Sequence, residues 1–310
     1  MFAVLSFVIT FLLTPIFAKK LERRGIVGTD LHKKDGRKVP EMVGLAVLAG
    51  FLLSISLAYA LHRKPEILIT LLLVSLVGIL GIADRFKALT PLQKVVFLTL
   101  IGFLLIPFSI PTIGGCELGI IYFIALPVFF MIACNFTNML AGFNGLEIGT
   151  GAIASLGVAA IAYMNKAEVS FVISSVMFAS LLAFLYFNKY PARVFPGDVG
   201  TLIIGAALFP AIVFGKFELS GAIVFIPYAI DAALKYFSAG IMTRESQVPT
   251  GVKDGKLYIP HSDIAEEGAN LSLPRLFLRR RAMGENELVH RVWAVEAVFC
   301  LIAIGAELVG

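Results

Sequence analysis

Three aspartates and a cluster of amides stand where a strongly apolar chain has little reason to place them. Asp84 closes an apolar run in LGIADRFKALT. An Asp at a helix C-terminus opposes the helix dipole, so capping does not account for it, and a salt bridge to Arg85 or Lys87 is the structural alternative. Asp198 lies in RVFPGDVGTL, just ahead of another apolar run, where Asp is also a good N-cap. Asp231 and Lys235 are spaced i,i+4 inside a further run, able to pair with each other in either a structural or a functional role. The amides are in NFTNMLAGFNGLEIG, residues 135–149, which holds three Asn, three Gly and one Glu, and no Lys or Arg. Asn135 and Asn138 are three apart and share one face of a helix end. The glycines let backbone approach a ligand closely. The structural alternative is a Gly-rich turn between two helices, with Asn just past a helix end.

Oxygen donors of these types suit Mg²⁺, which takes one or two protein carboxylates together with substrate phosphates. Basic residues nearby suit a multiply charged phosphate. The chain has no G-x-x-x-x-G-K-[ST] loop, and His32, His62, His261 and His290 are isolated in sequence. The residues alone therefore describe a membrane enzyme or transporter that handles a phosphorylated substrate with Mg²⁺.

The elements that must position these groups are membrane spans. Hydrophobic residues make up 58% of the chain and charged residues 15%, against about 25% charged in soluble domains. Ten spans are expected near residues 1–18, 42–61, 66–83, 91–107, 119–137, 149–164, 169–187, 199–214, 219–240 and 291–309. The first lacks a basic n-region and reads as a retained span. Thr90, Pro91 and Gln93 spell a capped helix start for the fourth. All Lys and Arg except Arg63, Lys64, Lys166, Lys216 and Lys235 fall in connections on one face or at their edges, which makes that face cytoplasmic and puts both termini opposite. The chemistry-bearing residues lie at span ends on the same face, Asp231 and Lys235 excepted. The expected fold is an all-α polytopic membrane protein. Residues 1–240 form nine spans with catalytic loops on the cytoplasmic face. A small cytoplasmic segment follows over 241–290, in which KDGKLYI reads as a turn leading into a short strand, and 291–310 is the tenth span. Cys116, Cys134 and Cys300 are odd in number, form no CxxC and read as packing residues.

Four stretches now in hand, in order along nearly the whole chain, resemble the polyprenyl-phosphate N-acetylhexosamine-1-phosphate transferases, the glycosyltransferase 4 type. DGRKVPEMVGLA (35–46) is similar to the family's first cytoplasmic loop. LGIADRFKALTP is similar to the segment carrying its Asp-Asp pair, NFTNMLAGFNGLEIG to its N-x-x-N-x-x-x-G-x-[DN]-G-L signature, and VFPGDVGTL to its F-x-G-D-x-G-[ST]-L. Leu140-Ala141-Gly142-Phe143-Asn144 resembles the eukaryotic and archaeal branch acting on dolichyl phosphate, as does KDGKLYI.

The resemblance implies a reaction and a site. A polyprenyl- or dolichyl-phosphate oxygen attacks the sugar-linked phosphorus of UDP-N-acetylglucosamine, and UMP leaves. Asn138 and Asp198 match the metal ligands, for Mg²⁺ or alternatively Mn²⁺. Asp84 matches the first Asp of the acidic pair, and Lys94 a basic position downstream; with Asp198 they are the implied catalytic residues. Gly142, Asn144 and Gly145 would shape the nucleotide pocket. Glu41 and Asn135 are further substrate-binding positions, and Arg244 would read the acetamido sugar. The partners implied are the nucleotide sugar, the lipid phosphate, the membrane itself and a second copy in a homodimer, with no nucleic acid. Arg85 departs from the pattern by standing where the second acidic residue belongs. It keeps open an inactive lipid-phosphate-binding relative, beside a transporter or flippase as the other alternative.

Overall fold

A computed structural model of the chain describes residues 1–32, 36–109, 112–113, 116–117, 119–239, 250–259 and 271–309. Helices dominate it. In chain order they are α1 (Phe2–Arg23), α2 (Leu45–His62), α3 (Pro65–Lys87), α4 (Pro91–Gly102, continued as a 3₁₀ turn to Phe108), α5 (Ile120–Met139), α6 (Leu146–Met164), α7 (Glu168–Asn188), α8 (Gly197–Gly215), α9 (Glu218–Val224), α10 (Ile226–Ala239), α11 (Leu273–Leu278) and α12 (Glu285–Val309). Three short antiparallel hairpins accompany them: β1 (Val27–Thr29) with β2 (Lys38–Pro40), β3 (Thr112–Ile113) with β4 (Cys116–Glu117), and β5 (Gly251–Lys253) with β6 (Lys256–Tyr258). Among the described residues, nine helical segments are long and apolar enough to cross a membrane, or ten if α9 and α10 count as one bent span. The chain is an all-α, multi-pass integral membrane protein.

Two expected spans need correction. The ninth is not continuous, because α9 and α10 meet at Phe225 with a bend of 56°. The last begins at Glu285, not Arg291, so 285–290 belong to it. The KDGKLYI strand is one arm of the β5–β6 hairpin, with Asp254 and Gly255 both at positive φ in its turn. That is the backbone twist a two-residue hairpin turn requires.

The bundle is built around α8. It packs against α3, α5 and α7, with α6 and α2 also in contact, and α6 and α8 are the most buried spans while α1 and α4 are the least. Small residues set how closely α8 meets its neighbours, as expected where helices associate without a hydrophobic drive between them. A Cβ on Gly81 of α3 would fall 2.6 Å from the Cα of Val199, and one on Gly44 would fall 2.5 Å from the Cα of Gly200. On the α5 side, a Cβ on Gly205 would fall 2.3 Å from the Ala133 carbonyl oxygen. Only glycine fits at these three points, which seat the end of α3 and the start of α2 on the first turn of α8 and bring α5 against α8 further along.

The first loop is tied to the same end. The backbone N–H of Phe195 donates to Pro40 at 2.8 Å, and those of Val43 and Gly44 donate to Phe195 and Pro196 at 3.0 and 3.1 Å. The β1–β2 hairpin therefore stands over the start of α8.

Candidate active site

Asp84 lies in the last turn of α3, and the chain turns back at once into α4. Ala88 closes α3 in the left-handed region, and the Leu89 N–H donates to Asp84 Oδ1 at 3.0 Å. Thr90 then caps α4 with the expected box: the Gln93 N–H donates to the Thr90 hydroxyl at 3.2 Å, and the Thr90 N–H to the Gln93 side chain at 2.9 Å. Lys94 follows one turn into α4, and the tight connection points it back across the end of α3.

Its ammonium bridges two carboxylates. Lys94 Nζ lies 2.8 Å from Asp84 Oδ2 and 2.7 Å from Asp198 Oδ2. All three side chains are mostly buried. The salt bridge from Asp84 to Arg85 or Lys87 does not form; Lys94 takes that place. Asp198 is not an N-cap either. Pro196 occupies the cap position of α8 without a side-chain bond, and Asp198 sits inside the first turn, where its charge is favourable to the helix dipole.

Asn138 completes the group from α5. Its Nδ2 is 3.4 Å from Asp198 Oδ2, and its Oδ1 accepts the Thr201 hydroxyl at 2.6 Å. Thr137 fixes the register by donating to the Thr201 carbonyl at 2.9 Å. Asn135 shares the helix but not the site, since its amide donates to Met131 O at 3.0 Å within α5.

Two carboxylates and one ammonium leave a net charge of −1 before any phosphate arrives. A diphosphate bound here needs further positive charge. The donor set fits a hard divalent cation: Asp198 offers carboxylate oxygen, and Asn138 offers its amide oxygen once the amide turns over, handing Nδ2 to the Thr201 hydroxyl, which can accept it.

Asn144 belongs to a second constellation on the α5–α6 turn. Gly142 and Gly145 take φ of 116° and 82°, which a side chain would strain. The Asn144 N–H donates to Glu285 Oε1 at 2.7 Å, and its amide donates to Asp30 Oδ2 at 3.0 Å. Phe143 stacks on His32 with centroids 4.6 Å apart. Asp30, His32 and Glu285 thereby place potential metal-donor atoms within 4.8 Å of one another. His32, isolated in sequence, is therefore not isolated in space. Glu147 is buried beside this turn, with Oε2 lacking a hydrogen-bond partner among the described residues. No spacing in the sequence connects Asp30 or Glu285 to Asn144, so sequence reasoning missed them. Thr201 was within reach, three residues past Asp198 on the same helix.

Glu41 holds Arg85. Arg85 Nη1 is 3.3 Å from Glu41 Oε2, and Nη2 is 3.4 Å from the Val27 carbonyl. The residue standing in place of a second acid thus turns to the first loop instead of joining Asp84. Asp231 and Lys235 do pair, at 2.8 Å, and both reach further. Asp231 is fully buried and accepts the Leu273 N–H at 2.8 Å, while Lys235 donates to the Met139 carbonyl at the end of α5. Arg244 lies outside the described residues.

Residues 67–216, which hold Asp84, Lys94, Asn138 and Asp198, match the sequence model of "Glycosyl transferase family 4". The chain is 40% identical over 306 residues to a putative glycosyltransferase of Methanocaldococcus jannaschii, covering 97% of this chain and 96% of that one. The chain belongs to glycosyl transferase family 4. Within the family it is 32% identical over 320 residues to a putative UDP-N-acetylglucosamine–dolichyl-phosphate N-acetylglucosaminephosphotransferase of Saccharolobus solfataricus, covering 97% and 94%. It is also 30% identical over 247 residues to a phospho-N-acetylmuramoyl-pentapeptide-transferase of Shouchella clausii, covering 71% and 76%. Asp30, His32 and Glu285 fall outside the stretch that the family model matches.

Proposed function

We propose that this family member transfers N-acetylglucosamine 1-phosphate from UDP-N-acetylglucosamine to a polyprenyl phosphate of the dolichyl type. The observation that carries the reading is the Asp84–Lys94–Asp198 bridge with Asn138 beside it, at one end of a bundle whose relatives along nearly the whole chain include a phosphotransferase of that name. In the reaction an oxygen of the lipid phosphate bonds to the sugar-linked phosphorus. The bond from that phosphorus to the bridging oxygen breaks, and its electron pair leaves with UMP.

Positioning and charge neutralisation supply most of the catalysis in such a transfer. Lys94 uses two of its three N–H donors on Asp84 and Asp198, and directs the third at a substrate phosphate oxygen. Asp84 keeps that ammonium in place and anchors the α3–α4 turn through Leu89. Asn138 and Asp198 would hold a divalent cation, Mg²⁺ or Mn²⁺, which would supply positive charge against the diphosphate. Arg85 removes a second carboxylate from the site without removing the nucleophile. A phosphate monoester has a second pKa of about 6 and is already ionised near neutrality. Asn144, held between Asp30 and Glu285, lines the nucleotide side with Gly142 and Gly145. The concentration of Lys and Arg in the connections at this end supports a cytoplasmic active site.

The test uses purified full-length protein, a polyprenyl phosphate and sugar-labelled UDP-N-acetylglucosamine. Label entering the lipid with release of UMP, dependent on added Mg²⁺ and lost in Asp198→Asn and Asn138→Ala, is the expected result. Release of UDP would mean that no phosphate travels with the sugar. Nucleotide binding without turnover of any UDP sugar would move the protein to a binding role, with Arg85 as the first suspect.

A further inference from the structure

The last helix presents two unlike faces. Trp293, Glu296 and Cys300 point inward; Trp293 packs over Gly149 and Cys300 over Gly157 of α6. The other face, toward the membrane, carries a groove of about 420 Å³ lined by Phe277, Arg291, Ala294, Val295, Val298 and Phe299. Below Arg291 its walls are entirely hydrocarbon, and it follows α12 for about 12 Å of helix rise. None of Asp84, Lys94, Asn138 or Asp198 lines it.

At the head of the groove the charge is one-sided. Arg279, Arg280 and Arg281 follow directly on α11 and are exposed, and Arg291 stands on the rim. Arg281 and Arg291 share one carboxylate, Glu287, which is 2.9 Å from Arg291. Arg279 and Arg280 have no acidic partner among the described residues. Arg281 and Arg291 thus set two guanidiniums on one exposed carboxylate at the rim of an apolar groove, and the exposed Arg279 and Arg280 follow closely in sequence on Phe277, which lines it. Guanidinium forks match phosphate oxygens two at a time. Basic clusters at the end of a span attract anionic headgroups. The combination has the shape and polarity of an amphiphile with a phosphate head and a hydrocarbon tail.

We propose that this groove and its arginines hold one anionic phospholipid of the surrounding membrane. Its phosphate sits among Arg279, Arg280 and the rim of Arg281 and Arg291, and one acyl chain lies along Ala294, Val295 and Val298. The bound lipid covers the seam between α11 and α12, and so steadies Glu285, which grips the Asn144 turn from the start of α12.

Native mass spectrometry of the full chain, released from detergent and titrated with phosphatidylglycerol or phosphatidylcholine, reads the site. Wild type is expected to retain one phosphatidylglycerol at least tenfold more tightly than phosphatidylcholine. Arg279→Ala with Arg280→Ala loses that preference, since each cation near an anionic headgroup is worth about fivefold. Ala294→Trp with Val298→Trp fills the groove and loses both lipids; the unfolding temperature in lipid-free detergent controls for folding. If the tryptophan pair fails to fold, the arginine pair decides alone. Equal binding of the two lipids by wild type, or undiminished phosphatidylglycerol binding by the arginine pair, overturns the proposal. So does equally tight binding of glycerol phosphate, which would leave the groove without a role. Displacement of phosphatidylglycerol by an equimolar polyprenyl phosphate would overturn it in favour of the carrier lipid.

Discussion

Lys94 is the residue on which two carboxylates depend. With Lys94→Ala, Asp84 and Asp198 face each other without a counter-charge, and a phosphate donor is lost. Removing one such donor lowers turnover by about 10²–10³ in comparable sites, and a turnover assay at saturating substrate checks this. Lys94→Arg is expected to restore little. A planar, larger guanidinium does not reproduce a compact ammonium that sits 2.7 and 2.8 Å from two separate carboxylates. Glu285 gives a different signature. Its carboxylate accepts the Asn144 N–H in a buried setting, so Glu285→Ala leaves that donor unmatched, at about 1–3 kcal/mol. The expected result is a raised KM for the nucleotide sugar with kcat little changed, and recovery in Glu285→Gln, which keeps an acceptor. Asp84, Lys94, Asn138 and Asp198 were legible in the sequence because each sits in a short motif beside an apolar span. Glu285 and Asp30 were not. Their partner is more than a hundred residues away, and each is a lone acid in a polar connection outside the expected spans.

At the scale of elements, contacts between backbones decide the geometry. A Cβ added at Gly81 meets the backbone of Val199, so α3 and α8 must separate for it to fit. Overpacking of this kind costs about 1–3 kcal/mol. A displacement near 1 Å between positioned groups can lower rate by roughly 10². Gly81→Ala is therefore expected to lose far more activity than stability, measured as turnover beside the unfolding temperature. The Asp231–Lys235 pair ties three elements together: α10 carries it, α11 starts on it through Leu273, and α5 ends on it through Met139. Lys235→Met strands a fully buried Asp231, at about 3–5 kcal/mol. Asp231→Asn in the same chain recovers part of the lost unfolding temperature. The i,i+4 spacing announced the pair, but nothing in it announced Leu273 or Met139. The bend between α9 and α10 was equally hidden, because hydropathy is blind to direction and the two short helices read as one span.

For the whole molecule, the number and order of spans follow from hydropathy with boundary shifts of a few residues, since no water-filled alternative exists for runs this apolar. Orientation rests on the distribution of Lys and Arg. With Cys116, Cys134 and Cys300 replaced, a single cysteine at Lys166 or Lys216 is expected to react with an impermeant maleimide on intact cells, and one at Lys20 or Lys189 only after lysis. The reverse pattern would invert the topology and move the active end to the outer face.

The Asn144 turn is fastened on one side by Asp30, from the first loop, and on the other by Glu285, from the final helix. Spans leave the ribosome in sequence order, so Asp84, Lys94, Asn138 and Asp198 are all synthesised well before Glu285. A nascent chain halted before residue 285 already carries the charged centre but has only half the clasp around Asn144. The helix that carries Glu285 thus completes the clasp last: on the proposed function, a chain that stops short of it is expected to keep the charged centre and to hold the nucleotide sugar more weakly.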